Sequence, residues 1–219
     1  MPTVVTGANR GVGAAILKEL RARGIDTIGT SRTPTNNFMT ADVSKKDSVD
    51  ALAQQLDGQS VPLLVCNAGV LLDRNEELAD GYAPESWASC FEVNVTGVFL
   101  TVQALLPQLQ QAAADQGSAK IAIISSVMGS SARPVGGTYI YRASKAAATN
   151  VGRNLAKDLH DLGIAVGIYH PGWVRTDMGG PSADISESES ATGLVDQFEA
   201  LSLETTGCFL NWDGAGIDF

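Results

Sequence analysis

The chain has 219 residues, of which 44% are hydrophobic and 18% are charged, and its formal net charge is −9. This composition can build a hydrophobic core and excludes an intrinsically disordered chain. The acidic balance repels nucleic-acid phosphates and anionic membrane surfaces, so we expect neither as a partner. Any phosphate-bearing ligand must therefore be held by local positive charge.

The three cysteines, Cys66, Cys90 and Cys208, lie far apart. No pair has the spacing of a metal or redox motif, so the sequence predicts no metal site. The first residues lack a basic stretch followed by an apolar segment, which a signal peptide requires. No apolar run reaches the roughly 18 residues needed to span a membrane. We therefore expect a cytoplasmic protein.

Short β-branched or aliphatic segments alternate with helical patterns along the chain. The sequence predicts seven strands, over 3–6, 26–31, 37–42, 61–69, 120–126, 164–170 and 207–211. It predicts helices over 11–24, 44–56, 84–114 and 141–162. Ser44 is the expected N-cap of the second helix, and Pro107 is expected to kink or end the third. The polar, glycine-rich segment 178–193 is the only one expected to be mobile.

Strands separated by helices predict an α/β fold. We expect one domain over residues 1–219, with a Rossmann-type, doubly wound, parallel sheet of seven strands and helices on both faces. Ligands of such sheets bind beyond the carboxyl ends of the strands. Candidate functional residues are therefore those that directly follow a strand.

A glycine-rich loop, TGANRGVG at 6–13, follows the first strand and opens the first helix. Gly7, Gly11 and Gly13 allow a tight turn and the close approach of a pyrophosphate to the helix N-terminus. Asn9, Arg10 and Val12 belong to the same loop. No Lys-Ser or Lys-Thr follows the last glycine, so the loop is not a P-loop, which disfavours phosphoryl transfer.

Two arginines lie where the adenosine ribose of a dinucleotide would bind. Arg32 follows the second strand, where an acidic residue would repel a 2′-phosphate, and Arg10 lies inside the glycine loop. Either arginine alone is often only a solvated surface group. Together they favour NADP(H) over NAD(H), through charge-assisted hydrogen bonds.

Tyr141 and Lys145 lie four residues apart and share one face of a predicted helix, whereas Tyr139 points away from the lysine. An ammonium close to a phenol favours the phenolate and lowers the phenol pKa. A tyrosine of this kind exchanges a proton with a carbonyl or alcohol oxygen. A bare tyrosine–lysine pair is usually an ordinary surface pair, but ISS at 124–126 adds hydroxyl groups at the same sheet edge.

Several motifs together are similar to those of the short-chain dehydrogenase/reductase family. They are TGANRGVG at 6–13, ADV at 41–43, NAG at 67–69, NVTG at 94–97, SSVMG at 125–129, YRASK at 141–145 and HPGWVRTDMGG at 170–180. The last three resemble most the branch of bacterial C-factor proteins and sniffer-type carbonyl reductases. The resemblance covers essentially the whole chain.

The resemblance implies a catalytic group of four residues, namely Asn94, Ser126, Tyr141 and Lys145. Ser126 would hydrogen-bond the substrate carbonyl and Tyr141 would be the general acid. Lys145 would lower the phenol pKa and bind the nicotinamide ribose, and Asn94 would hold a water linked to Lys145. The implied cofactor contacts, besides the glycine loop and Arg32, are Asp42, Val43, Asn67, Ala68, Gly69, Tyr141, Lys145, Pro171, Gly172, Val174 and Thr176.

The sequence departs from the family pattern at three places. Cys66 stands where an asparagine is common, and the interval from Ser126 to Tyr141 is longer than in many relatives. Either Ser125 or Ser126 could therefore face the substrate, and we prefer Ser126. The region after Thr176 is short, which implies an open substrate cleft. Trp173 and Met178 could line this cleft, although a structural role for Trp173 fits the sequence equally well.

The leading hypothesis is an NADP(H)-dependent oxidoreductase that interconverts a small ketone or aldehyde and its alcohol. The alternative is a dinucleotide-binding, C-factor-like signalling or sensor protein with little turnover. A methyltransferase would leave Tyr141 and Lys145 without a role. Small residues on the tyrosine-bearing helix, Ala146, Ala147, Ala148 and Val151, would permit the close helix pairing of a homodimer or homotetramer.

Overall fold

Seven parallel strands form one sheet in the computed structural model, which describes residues 1–219. The strand order is β3-β2-β1-β4-β5-β6-β7. The strands are β1 (Thr3–Val5), β2 (Thr27–Ser31), β3 (Met39–Thr40), β4 (Leu63–Cys66), β5 (Ala119–Ile124), β6 (Ile164–His170) and β7 (Phe209–Asn211). The chain moves one way across the sheet from β1 to β3 and the other way from β4 to β7, so the carboxyl ends of β1 and β4 form the switch point where ligands bind. The predicted doubly wound, Rossmann-type sheet is confirmed.

Helices cover both faces of the sheet. They are α1 (Gly11–Ala22), α2 (Lys46–Gln55), α3 (Pro84–Phe91), α4 (Gly97–Gln116), α5 (Tyr139–Leu159) and α6 (Glu187–Ala200). One core lies between the sheet and α2, α4 and α5, and a second lies between the sheet and α1 and α6. Because both faces are covered, the central strands are almost entirely apolar, as the sequence pattern of β4 and β5 indicates.

A single long helix connects β4 to β5, because α3 and α4 join through a π-helical turn at Glu92–Thr96. It continues through Pro107 to Gln116, so of the two expected effects of this proline, a kink or an end, the end does not occur. The helix is long and apolar enough to cross a membrane by those two criteria. However, one side packs on the sheet through residues buried in the core, Val98, Val102, Leu105 and Leu109.

Helix α6 was not predicted, and the segment 178–193 that contains its first turns was expected to be mobile. Ser186 and Glu189 form a capping box: Ser186 Oγ accepts from Glu189 N at 3.2 Å, and Glu189 Oε2 accepts from Ser186 N at 2.8 Å. The apolar face of α6 is concentrated in its second half, at Leu194, Val195 and Phe198. Because the first turn is polar, the spacing of apolar residues that marks a helix is visible only in the second half of α6.

Several predicted element ends also differ from the structure. Helix α2 begins at Lys46, and Ser44 is not its N-cap, because Ser44 Oγ donates to Asp42 Oδ1 at 2.7 Å. Helix α5 begins at Tyr139 rather than at Tyr141, and a short 3₁₀ turn follows its end. Most strands are shorter than predicted; the segment 61–69 contributes only four residues to the sheet.

Candidate active site

A cleft opens beyond the carboxyl ends of the central strands. The predicted cofactor residues that line it are Gly7, Asn9, Arg10, Gly11, Val12, Gly13, Arg32, Asp42, Val43, Asn67, Ala68, Gly69, Tyr141, Lys145, Pro171 and Thr176. Four of the predicted site residues do not line it: Asn94, Ser126 and Val174 are buried, and Gly172 packs against Ile185 and Trp212. The fold thus brings dispersed sequence motifs to one site.

The glycine loop is held in place by the segment that follows β4. Asn67 Nδ2 donates to the carbonyl oxygens of Thr6, at 2.9 Å, and Gly7, at 3.1 Å. In return, Thr6 Oγ1 accepts from the backbone N–H groups of Asn67 and Ala68, at 3.0 and 3.1 Å. Gly7 and Gly11 have φ of 63° and 58°, a left-handed backbone that favours glycine.

The N-terminus of α1 points into the cleft. No acidic residue lies in its first turn, and Arg10, its N-cap, makes no side-chain capping bond. The first N–H groups of a helix lack partners within the helix, and the helix dipole adds partial positive charge there. The loop and helix end therefore fit a pyrophosphate, as the sequence indicates.

Both predicted arginines line the cleft. Arg32 lies between two hydroxyl residues that sequence reasoning missed, Ser31 and Thr33, and all three line the cleft. Arg10 pairs with Asp177 at 3.5 Å, and both side chains are largely exposed. An exposed pair of this kind contributes little to stability, so Arg10 can exchange Asp177 for another anion.

Asn94 lies on the π-helical turn and is buried. Its Oδ1 accepts from Val70 N at 2.8 Å, and its Nδ2 donates to Val70 O and to Ser144 Oγ, both at 2.9 Å. π-helical turns are frequent at functional sites, because they re-aim a side chain. Asn94 thus ties the loop after β4 to helix α5, a contact that the sequence did not indicate.

Tyr141 and Lys145 are both buried on one face of α5, and Lys145 Nζ lies 5.6 Å from the centroid of the Tyr141 ring. Lys145 Nζ donates to Ile124 O at 2.8 Å. Burial lowers the pKa of Lys145 to about 8 and raises the pKa of Tyr141 to about 12, while the Ser126 hydroxyl opposes the latter shift. This differs from the expected lowering of the phenol pKa, because charging the phenol in this buried site is unfavourable.

The two serines after β5 have different surroundings. Ser125 Oγ donates to Lys145 O at 3.0 Å and bonds Thr149 Oγ1 at 2.8 Å, so its hydroxyl is engaged within the protein. Ser126 caps a 3₁₀ turn at Val127–Gly129, and its hydroxyl lies beside the Tyr141 phenol. Ser125, and not Ser126, lines the cofactor cleft, so the preference for Ser126 rests on its position beside the phenol.

The segment after β6 forms another wall of the cleft, through Pro171 and Thr176. Gly172 has φ of 86°, which favours glycine, and Ser190 Oγ of α6 donates to Pro171 O at 2.6 Å. A Cβ at Gly11 would lie 3.6 Å from Thr176 Cγ2, so Thr176 stands opposite the glycine loop. Trp173 Nε1 donates to Gly179 O at 2.8 Å, which fits a structural role for Trp173.

A family profile described as short chain dehydrogenase matches residues 2–186. The chain belongs to this family. A short-chain dehydrogenase is an NAD(P)-dependent oxidoreductase, so the protein is an enzyme of that class, and the family expected from the sequence is confirmed.

This short-chain dehydrogenase is similar to three known proteins of more specific description. The 1-hydroxy-2-glutathionyl-2-methyl-3-butene dehydrogenase of Rhodococcus sp. (strain AD45) is 34% identical over 100% of both chains. C-signal of Myxococcus xanthus is 37% identical over 59% of this chain and 76% of its own. The structure of NADPH-bound carbonyl reductase from chicken fatty liver superposes with a TM-score of 0.91 at 30% identity, covering 100% of this chain and 98% of that one.

Sequence reasoning missed further residues of this short-chain dehydrogenase that line the cleft. They are Ser31, Thr33, Ala41, Val70, Val93, Ile124 and Asp177. The TSRT stretch offers a signal for the first two, since hydroxyl groups beside an arginine suit an anion. The apolar ones carry no local signal, because the fold alone brings them to the cleft. Met178, expected to line a substrate cleft, also borders this one.

Proposed function

We propose that the protein is an NADP(H)-dependent carbonyl reductase, acting on a small ketone or aldehyde or, in reverse, on the alcohol. The proposal rests on one grouping: Tyr141 and Lys145 line the same cleft as Arg32, and the Ser126 hydroxyl lies beside the Tyr141 phenol. The relation to an NADPH-bound carbonyl reductase supports both the reaction and the cofactor.

Four residues would each have a separate role in the reaction. NADPH, when bound, supplies the hydride. Tyr141 would donate its phenolic proton to the carbonyl oxygen, and Ser126 would hydrogen-bond that oxygen as negative charge develops. Lys145 would hold the nicotinamide ribose and stabilise ionised Tyr141. Asn94 would fix the loop after β4 against helix α5, which carries Lys145.

The cleft also fits the phosphates of the cofactor. The α1 N-terminus and the glycine loop would hold the pyrophosphate, and Arg32 with Ser31 and Thr33 would hold the 2′-phosphate. The chain as a whole has a net charge of −9, so these local groups work against the overall field. Asp42, Val43 and the 67–69 segment would contact the remainder of the nucleotide.

Replacing Arg32 by Ala is expected to raise the Kd of NADPH by about tenfold or more, because a charge-assisted contact to phosphate is lost. The Kd of NADH is expected to stay within about threefold. The measurement is a fluorescence titration of the purified protein with each cofactor. Lys18→Ala removes one positive charge from an exposed position of α1 and serves as the control. Equal losses of NADPH and NADH affinity in Arg32→Ala would contradict the cofactor proposal.

Carbonyl reduction and alcohol oxidation are expected to respond differently to pH. Reduction needs the protonated phenol, and a Tyr141 pKa of about 12 keeps it protonated well above neutral pH. Oxidation needs the phenolate, whose population rises with pH below that pKa. Lys145, with a pKa of about 8, loses its ammonium at higher pH, so the comparison is made below that pKa. Rate profiles between pH 6 and 7.5 should be nearly flat for reduction and should rise for oxidation. A tenfold fall in the reduction rate over this range would contradict the assignment of Tyr141.

The relation to C-signal favours a second candidate, a dinucleotide-binding signalling protein with little turnover. The two candidates differ in one measurement, which is NADPH consumption with a panel of aldehydes and ketones. Cofactor binding without turnover on any of them would favour the signalling candidate. Turnover that depends on Tyr141 would favour the reductase.

We further propose a homodimer or homotetramer built on the 84–116 helix and α5. Phe99 on the long helix is 45% exposed, although it is large and apolar. Ala146, Ala147 and Val151 are half-buried on α5, whereas Ala148 packs inside the chain and is not available for pairing.

A further inference from the structure

Asp73, in the loop after β4, has 0% exposure to solvent although it carries a carboxylate. Its Oδ2 accepts from the backbone N–H of Ile140 at 2.8 Å and lies 3.4 Å from that of Tyr141. These two residues form the first turn of α5. A carboxylate from a distant loop thus holds the backbone of the residue that we propose as the general acid.

Helix α5 has no cap of its own. Its N-cap residue, Thr138, has a left-handed backbone with φ of 43° and makes no side-chain capping bond, and no acidic residue lies in the first turn. The first N–H groups of a helix need acceptors from outside it, and a negative charge there also complements the helix dipole. Asp73 supplies both from another part of the chain.

The other carboxylate oxygen of Asp73, Oδ1, is buried and has no hydrogen-bond partner, and Asp73 forms no salt bridge. A buried carboxylate without a counter-ion is costly, and here the two backbone N–H groups of α5 are the groups that compensate it.

Tyr141 lies among several charged or titratable groups. They are Asp73, Arg74, Cys90, Lys145 and the Ser126 hydroxyl. Burial is the main cause of its raised pKa; the Ser126 hydroxyl and Arg74 oppose this shift, and Cys90 and, least, the charge of Asp73 add to it. Asp73 and Arg74 are adjacent, so two neighbouring residues of one short loop shift the pKa of the Tyr141 phenol in opposite directions.

We propose that Asp73 is a positioning residue for Tyr141, which caps α5 from the loop after β4 and so fixes the phenol against Ser126. The inference rests on the proposed function for its catalytic meaning. The carboxylate does not need to touch the substrate for this purpose. Its charge also raises the pKa of the phenol slightly, which keeps the phenol protonated before the proton is transferred.

The first test measures the cap without turnover. In Asp73→Ala, hydrogen exchange at the amides of Ile140 and Tyr141 is expected to accelerate about fivefold to thirtyfold, the effect of losing an N-cap. Asp80→Ala, an exposed acidic residue of the same loop, is the control and should leave this exchange unchanged. Unchanged exchange in Asp73→Ala would overturn the proposal.

The second test separates positioning from a structural role alone. Asp73→Asn keeps the shape and one acceptor but removes the charge. We expect its NADPH affinity to stay within about twofold, its kcat for reduction to fall about tenfold, and its oxidation profile to move to lower pH. Asp80→Asn should show none of these changes.

A parallel fall in kcat and NADPH affinity in Asp73→Asn, with an unmoved pH profile, would reduce Asp73 to a structural residue and overturn the proposal. Wild-type protein that reduces no carbonyl would contradict the proposed function alone. The exchange experiment needs no turnover, so it still decides whether Asp73 holds the first turn of α5.

Discussion

Replacing Tyr141 by Phe is expected to lower kcat for carbonyl reduction by about 10²–10⁴-fold, the usual contribution of a positioned general acid. The phenyl ring keeps the packing of this buried side chain, and only the proton donor is lost. The Kd of NADPH should stay within about threefold, because the glycine loop, Arg32 and Lys145 are untouched. Steady-state kinetics with a reactive diketone and a cofactor titration measure the two quantities.

Tyr139 provides a matched control for this substitution. It lies two residues away, is 39% exposed and packs edge-on against Tyr82, with a centroid distance of 5.2 Å. Tyr139→Phe should keep nearly full activity, because its hydroxyl does not face the cleft. Unchanged turnover in Tyr141→Phe, with cofactor still bound, would remove the central element of the proposed mechanism.

A second large effect is expected from Gly13→Ala, in the glycine loop. A Cβ at this position would collide with the Asn67 side-chain amide and with Gly7 O, the two groups whose hydrogen bond locks the loop. The backbone would have to shift, at a cost of about 1–3 kcal/mol of unfolding free energy. NADPH affinity should fall by at least about tenfold, because the loop and the α1 N-terminus move together.

Gly216→Ala makes the same chemical change where the structure has room. No heavy atom lies within 4 Å of the Cβ position, and the backbone of Gly216 is not left-handed. This variant should keep the wild-type Tm and cofactor affinity. A Gly13→Ala protein with wild-type Tm and wild-type NADPH affinity would show that the loop tolerates the clash, contrary to the geometry.

Much of the fold could be predicted from the sequence, because its signals are local. The apolar run of β4 and the helical spacing of α1 and α5 depend only on neighbouring residues. Helix α6 was missed because its first turn is polar and its capping box, Ser186 with Glu189, was not recognised. Ser44 was assigned as a cap from residue type, but its hydroxyl is occupied by Asp42.

The site was predicted to the extent that its residues carry recognisable motifs. The tyrosine–lysine spacing, the glycine loop and the NAG segment all proved to lie on one cleft. The choice between Ser125 and Ser126 could not be derived, since it depends on how β5 meets α5. Asp73 carries no signal, because it and Tyr141 are 68 residues apart and only the folded chain brings them together.

The π-helical turn at Glu92–Thr96 makes this part of the chain sensitive to length as well as to residue identity. A turn of this kind accommodates one residue more than a regular α-helix. Deleting a single residue would restore regular helical bonding but would rotate Asn94 by about 100° around the helix axis, away from Val70 and Ser144. Insertions and deletions should accumulate during evolution at the exposed 131–137 loop, whereas the 92–96 turn should keep its number of residues even where its side chains vary.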